Sequence, residues 1–425
     1  MNPSKKGWLS DFLEYRKRQF ESDKDSKKEY PGQDPEQSFY GIVQPTGIMY
    51  GYAVTTLDSV DTTDWSDKDK VKVLLVNSLI NVAELYSEKS ADVEAFSQLM
   101  QNTLEMMCSF YESVYTDISI SSTNWLGKKK DTLIVAERIL EKRANMAVDD
   151  KSNFWLRFFH RSQLFLDIYV FGQWTYTRPD KVLQDFFKGE KDELSYNAVK
   201  VMAAAAHANK NIADEERSLF GHFIESSGMP TEKKRVAHEY FEHGLGIQDI
   251  PIDTADPWVL RKFFLELSIL TIWSDKKVDE TELIFLKEFS NSLGFSSEDL
   301  EKSMIAVEGF VLENWVHLEV LQDKKDYEEL SQEYLERIST FTVKYRNRLF
   351  NEMKADRELS SLIIKGNAQT LNTGEKEVIR QHLIKILRGI PAFSLISLPD
   401  QFLTYEYMIK VYPKEAFAAL NEMQA

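Results

Sequence analysis

The spacing of apolar residues repeats once in the middle of the chain, at an offset of 66 positions. The window 196–232 aligns with 262–298 without a gap, and each copy ends its central helix pattern with a glycine, Gly228 or Gly294. Apolar residues in both copies recur three and four positions apart, which is the spacing of a helix with one buried face. This fixed period predicts a duplicated unit in which each copy holds three helices. The matching positions include Ile212 and Val278, Glu216 and Glu282, Leu219 and Phe285, and Phe223 and Phe289.

The turns before the two central helices read A-N-K-N-I-A-D-E-E at 208–216 and S-D-K-K-V-D-E-T-E at 274–282. Through these turns, the stretch from about 191 to 307 resembles the tellurite-resistance TerB-like family. The resemblance implies a compact all-helical bundle with two pseudo-symmetric halves, and acidic turns that the family links with metal ions. Only the second turn keeps two aspartates, Asp275 and Asp279, because the first has other residues in their places.

Asp275, Asp279 and Glu282 have two interpretations. Calcium and similar hard cations bind carboxylate oxygens clustered in a turn, so the three residues are a candidate divalent-cation site. Alternatively, Asp279 caps the following helix and Glu282 closes a capping box three residues later. Lys276 and Lys277 lie within the same turn and favour capping. Both interpretations stay open at this point.

Helical patterns also cover the chain on either side of the repeat, and no strand series is evident. The most apolar pattern, at 153–174, is interrupted by Arg161 and Asp167, which favours a buried helix over a membrane span. These patterns predict an all-α protein, with an N-terminal helical domain, a central two-repeat TerB-like helical bundle and a C-terminal helical tail. The predicted segments are an amphipathic helix and flexible linker at 1–38, the N-terminal domain at 39–190, the TerB-like domain at 191–307, connecting helices at 308–372 and a Pro-flanked tail at 373–425. The individual helix patterns are at 1–20, 67–87, 91–115, 131–146, 153–174, 306–322, 326–353 and 375–388.

The first pattern is amphipathic and carries Trp8 and Phe12 on its apolar face. A charged stretch with two prolines and one glycine follows at 21–37 and predicts a flexible linker. A tethered helix of this kind docks either on its own protein or on a partner or membrane surface. Trp8 and Phe12 are therefore candidate contact residues.

The tail reads G-E-K-E-V-I-R-Q-H-L-I-K-I-L-R-G-I-P-A-F-S-L-I-S-L-P at 374–399, followed by M-I-K-V-Y-P-K at 408–414. This segment resembles the mitochondrial inner-membrane leucine-zipper, EF-hand-containing transmembrane family, which is associated with cation/proton exchange and ribosome binding. A TerB-like unit joined to such a tail also resembles a group of bacterial biofilm-associated proteins. Asp400 and Glu406 interrupt the stretch that spans the membrane in the mitochondrial family, and hydrocarbon penalises both. The transport function is therefore not carried over.

The formal net charge of −16 argues against a nucleic-acid-binding protein as a whole and against a DNA partner. The tail from 341 to 425 nevertheless holds 12 basic and 9 acidic residues, so the preceding chain carries −19. These charges are either solvated helix faces or a surface for anionic lipid or RNA. The candidate contact residues of this region are Arg346, Arg348, Arg380 and Arg388.

Motifs for catalysis are not evident. The H-E-Y-F-E-H stretch separates His238 and His243 by five positions, whereas a zinc-binding pair on a helix needs four. Cys108 is the single cysteine, lies in an apolar helical pattern, and is consistent with a reducing compartment. The sequence predicts a non-enzymatic scaffold or interaction protein of the cytoplasm, associated with stress or the envelope, with a protein partner. The alternative is a peripheral inner-membrane or ion-handling protein, and a hydrolase would require a polar pocket with a strongly shifted acid or base.

Overall fold

The computed structural model describes residues 1–22, 34–50, 57, 60–88, 90–115, 130–147, 154–177, 181–208, 220–221, 224, 229–273, 280–313, 315, 324–390, 393, 398 and 403–422. The regular elements in these ranges are 17 α-helices and three 3-10 turns, which confirms the predicted all-α fold. The chain divides into two compact units, the first unit at Met1–Gly294 and the second unit at Phe295–Ala425. The five predicted segments stay a prediction.

The first unit is built around aromatic side chains on helices α6 and α9. Phe165 of α6 stacks on Phe263 of α9 with ring centroids 4.3 Å apart, and Phe39 meets Phe165 edge-on at 6.0 Å. Helix α7 (Lys181–Ala206) packs against α9 (Trp258–Ile272). The alanines at 203–205 near the end of α7 are buried, and small side chains let helix axes approach closely. The helices of this unit are α1 Trp8–Ser22, α2 Pro35–Val43, α3 Asp67–Leu85, α4 Val93–Val114, α5 Thr132–Ala147, α6 Phe154–Thr177, α7 Lys181–Ala206, α8 Thr231–His243, α9 Trp258–Ile272 and α10 Glu280–Ser292.

A buried carboxylate ties helices α4, α5 and α6 together. Asp167 accepts hydrogen bonds from the hydroxyls of Tyr111, at 3.1 Å, and Tyr115, and from Arg143 Nε at 2.6 Å. Burial raises the pKa of both tyrosines, so they act as neutral donors. The charge of Asp167 is thus balanced by Arg143 and fully hydrogen-bonded, as a buried ion pair requires.

Two pairs of helix ends in the described ranges are separated by the 66 residues that separate the two copies in the sequence. Helix α7 ends at Ala206 and α9 at Ile272, while α8 begins at Thr231 and the first helix of the second unit begins at Ser297. Both pairs of positions are 66 residues apart. Gly294 has a φ of +75°, which suits glycine at the end of a helix. The remaining turn residues of the two copies lie largely outside the described ranges.

The second unit is held by helix caps and by side chains that reach backbone carbonyls. Asn372 and Glu375 form a reciprocal capping box, with hydrogen bonds of 2.9 and 3.0 Å. The hydroxyl of Tyr412, which is buried, donates to the Leu383 carbonyl at 2.6 Å. The helices of this unit are α11 Ser297–Glu313, α12 Lys324–Val343, α13 Arg346–Ala355, α14 Arg357–Ala368, α15 Thr373–Arg388, α16 Tyr405–Val411 and α17 Lys414–Glu422.

The single helix predicted at 326–353 is two helices in the structure, and that prediction was wrong. Helix α12 ends at Val343, and α13 begins at Arg346. At the break, the N–H groups of Lys344 and Tyr345 donate to the carbonyls three residues earlier, of Phe341 and Thr342, at 3.2 and 2.9 Å. Hydrogen bonds of this i→i−3 type tighten the last turn of a helix and are typical of helix ends.

Candidate functional site

The N-terminal helix α1 lies against the body of the first unit. Trp8 is 4% exposed and Phe12 is fully buried. The backbone N–H groups of Gly7 and Leu9 each donate to the carboxylate of Glu137 on α5, at 3.1 Å. A carboxylate in this position satisfies free N–H groups and complements the helix dipole. Both side chains thus pack within the first unit, which agrees with docking on its own protein, and their contact with a membrane or partner stays a prediction.

A buried ionic cluster fixes the residues before α1. Lys72 Nζ donates to the Pro3 carbonyl at 2.7 Å and pairs with Asp69 at 2.8 Å. Burial raises the pKa of Asp69, but hydrogen bonds from Lys72, Ser66 and Ser4 outweigh it and lower the pKa to about 2. The N-terminus is thus held by charge as well as by apolar packing.

The predicted cation site is only partly within the described ranges. Asp275 and Asp279 lie outside them, so the structure does not place their carboxylates. Glu282 lies in the first turn of α10 and is 3% exposed. The described part of the chain contains no group of three or more His, Cys, Asp or Glu residues placed to hold a metal ion. Metal binding by this turn stays a prediction.

The two histidines of α8 do not converge. The Nδ1 atom of His243 lies 3.1 Å from the carbonyl oxygen of Glu239 in the preceding turn. This contact points the His243 ring along its own helix, as a spacing of five residues from His238 leads one to expect. The His243 ring is thus accounted for by a local helix contact.

Two buried glutamates were not singled out from the sequence. Burial raises the pKa of Glu266, which accepts hydrogen bonds from the hydroxyls of Tyr40 at 2.7 Å and Tyr50 at 2.8 Å. Burial also raises the pKa of Glu308 to about 7, although Arg337 donates to it at 3.0 Å. In the sequence, each glutamate is a charged residue within an apolar helical face. This pattern could have identified both residues, but it does not show which side chains bond to them.

A small cavity of about 120 Å³ lies between α4 and the start of α5. Its lining carries the thiol-bearing residue Cys108 but no histidine that could activate it as a nucleophile. Neither Glu266 nor Glu308 lines this cavity. The described lining is Glu105, Cys108, Ser109, Glu112, Lys130, Thr132 and Val135.

The predicted arginine contacts separate into two kinds. Arg380 forms an ion pair with Glu377 and also donates to the Leu403 carbonyl at 3.1 Å. Arg348 instead donates from Nη2 to the Gly389 carbonyl at 3.0 Å, next to Arg388. Arg346, Arg348 and Arg388 are exposed. Arg348 therefore bonds to the backbone beside Arg388, whereas Arg380 forms a local ion pair.

Among the described helices, none combines the length and apolar character that crossing a membrane requires. No model of a known protein family matches the chain, and no solved structure matches it.

Part of the chain is similar to curated proteins named co-chaperone protein DjlA. It is 29% identical to the protein of Vibrio cholerae over 122 residues, which cover 27% of this chain and 43% of the relative. It is 30% identical to that of Vibrio parahaemolyticus over 122 residues, again with 27% and 43% coverage. For Aliivibrio fischeri the identity is 30% over 120 residues, with 26% and 42% coverage. The chain thus spans less than half the length of these relatives.

Proposed function

We propose that this protein is a non-enzymatic helical interaction protein with a co-chaperone role. The observation that carries the proposal is the similarity to the DjlA co-chaperones over 122 residues. That length is close to the segment 191–307 for which the sequence predicts a TerB-like domain. The proposal includes this domain as the interaction module, in a protein associated with stress or the envelope.

The hydrogen bonds and ion pairs of the buried glutamates Glu266 and Glu308 are consistent with a non-enzymatic protein. Glu266 holds two tyrosine hydroxyls of the first unit, and Glu308 pairs with Arg337 in the second unit. Perturbed pKa values arise in structural ion-pair networks as well as in active sites. Packing and hydrogen bonding account for both glutamates, so neither requires a substrate.

A refolding assay tests the proposal. The full chain is added to a denatured reporter enzyme together with the purified ATP-dependent chaperones of the same cell. We expect a higher refolding yield that depends on ATP and on the chaperones. The chain alone should neither refold nor hydrolyse the reporter, and an unchanged yield with chaperones present would count against the co-chaperone role.

The proposal locates the protein in the cytoplasm, with peripheral contact at the inner membrane as the alternative. Trp8 and Phe12, the apolar residues named for membrane contact, are packed in the first unit. Their burial favours the first location. Cell fractionation at low salt separates the two locations. Recovery in the soluble fraction supports the first, whereas release from membranes only at high salt supports the second.

Calcium binding at Asp275, Asp279 and Glu282 is a separate proposal. Titration of the full chain with calcium, followed by intrinsic tryptophan fluorescence, tests it against helix capping. A saturable change that Asp275→Ala abolishes would support a cation site. No calcium-dependent change in the wild type would leave capping as the role of the turn.

A further inference from the structure

Three basic residues lie at the end of helix α15. Lys385 and Arg388 lie in the last turn of α15, three residues apart and therefore on one face. Arg348 reaches the same end from α13, because its Nη2 donates to the Gly389 carbonyl at 3.0 Å. We name Arg348, Lys385 and Arg388 the α15 basic cluster. All three side chains are exposed.

Among the described residues, the α15 basic cluster has no carboxylate partner, whereas some other cations of the second unit are paired. Lys344 pairs with Glu301, and Lys365 with Glu375. Within the described residues, no member of the α15 basic cluster forms an ion pair at 4.0 Å or less. Arg348 has Glu352 one helical turn away and still bonds to the Gly389 carbonyl. For Arg348, the missing pair is therefore not explained by a shortage of acidic residues nearby.

Helix capping accounts for only part of this charge. The C-terminal end of a helix carries roughly half an elementary negative charge, whereas the cluster supplies three positive side chains. The hydrogen bond to Gly389 also uses only one of the five N–H donors of the Arg348 guanidinium. Positive charge and hydrogen-bond donors are left for an anion.

The surroundings favour a protein carboxylate over a lipid surface. Helical surfaces that bind membranes combine cations with several apolar side chains that enter the headgroup region. Among the described residues of the second unit, Val343 is the one large apolar side chain that is prominently exposed. A guanidinium, by contrast, binds a carboxylate through two parallel hydrogen bonds without any apolar contact.

We propose that the α15 basic cluster docks an acidic segment of a protein partner. The carboxylates of that segment supply the ion pairs that the cluster does not form with the described residues. This inference rests on the proposed function and specifies the chemistry of one partner surface.

The test uses the full chain and fluorescently labelled poly-L-glutamate, with fluorescence anisotropy as the readout. The protein carries a net charge of −16, so attraction by overall charge does not explain binding of a polyanion. We expect saturable binding that weakens as salt screens the charges. The variant R348Q/K385Q/R388Q should bind about tenfold more weakly, as expected for the loss of several exposed ion pairs. Circular dichroism checks that both proteins have the same helix content.

The control variant K5Q/R18Q/R235Q removes the same charge from exposed positions of the first unit. It should bind poly-L-glutamate nearly as well as the wild type. Equal weakening in both variants, or no binding by the wild type, would overturn the inference. Binding of the wild type to phosphatidylcholine–phosphatidylglycerol vesicles, without binding to poly-L-glutamate, would overturn it in favour of a lipid site.

The outcome is separable from that of the refolding assay. A wild type that binds poly-L-glutamate through the cluster but leaves refolding unchanged would contradict the proposed co-chaperone role alone. A wild type that promotes refolding but does not bind poly-L-glutamate would contradict the docking inference alone.

Discussion

Asp167 shows how single residues specify the interior of the first unit. Its carboxylate is fully buried and is held by Arg143, Tyr111 and Tyr115 on two neighbouring helices. The sequence showed Asp167 as a charge within an apolar helix. It did not reveal these three partners, because a helical pattern gives the buried face of each helix and not the alignment of one helix with another.

We expect Arg143→Met to lower the free energy of unfolding by about 3–5 kcal/mol, because Asp167 is then left as a buried charge without its counter-ion. Lys17→Met, which breaks the solvent-accessible ion pair with Glu14, should lower the free energy of unfolding by no more than about 1 kcal/mol. Urea denaturation followed by circular dichroism measures both. Equal losses in the free energy of unfolding for the two variants would show that the buried ion pair contributes no more to stability than the Lys17–Glu14 pair.

Glu308 gives the second unit a pH dependence. Burial raises its folded-state pKa from 4.5 to about 7. Folding therefore favours the protonated form, and this contribution to stability is present below about pH 4.5 and lost as the pH rises through about 7. The corresponding difference is about 3 kcal/mol.

Glu308→Gln removes this titration. We expect its free energy of unfolding to rise relative to the wild type by about 3 kcal/mol between pH 4.5 and 8. Urea denaturation at several pH values measures the difference, with the exposed Glu14→Gln as the control. If the free energy of unfolding changed with pH in the same way in the wild type and in Glu308→Gln, Glu308 would not be the source of this pH dependence.

At the scale of the element, α1 is a helix whose formation was predictable and whose position was not. Its apolar spacing predicted the helix, and the structure begins it at Trp8. The spacing could not decide between docking on its own protein and docking elsewhere, since both bury the same face. Glu137 on α5, far away in sequence, supplies the hydrogen bonds that fix its start.

We expect Glu137→Ala to loosen α1 by about 1 kcal/mol, because two N–H groups at its start lose their acceptor. Hydrogen exchange over Trp8–Ser22 should become faster, while exchange in the second unit should not change. Glu14→Ala, at an exposed position of α1, is the matched control. Unaltered exchange in Glu137→Ala would mean that apolar packing alone holds the helix.

At the scale of the whole molecule, the repeated apolar pattern predicted helices throughout, and the described elements are helical. The helix ends also follow the 66-residue offset of the sequence. The interruption after Val343 was missed, because Phe341, Tyr345, Leu349 and Met353 keep a helical spacing across it. The four arginines named as contacts stay a prediction, and the structure adds that Arg348 bonds to the Gly389 carbonyl at the end of the helix that carries Lys385 and Arg388.

The proposed co-chaperone role requires that the chain bind chaperones and change their ATPase activity. The steady-state ATPase rate of the host's purified chaperones, measured while the full chain is titrated in, tests it most directly. The account predicts a saturable change in the rate, with no ATP hydrolysis by the chain alone. A rate that stays constant across the titration would contradict the claim.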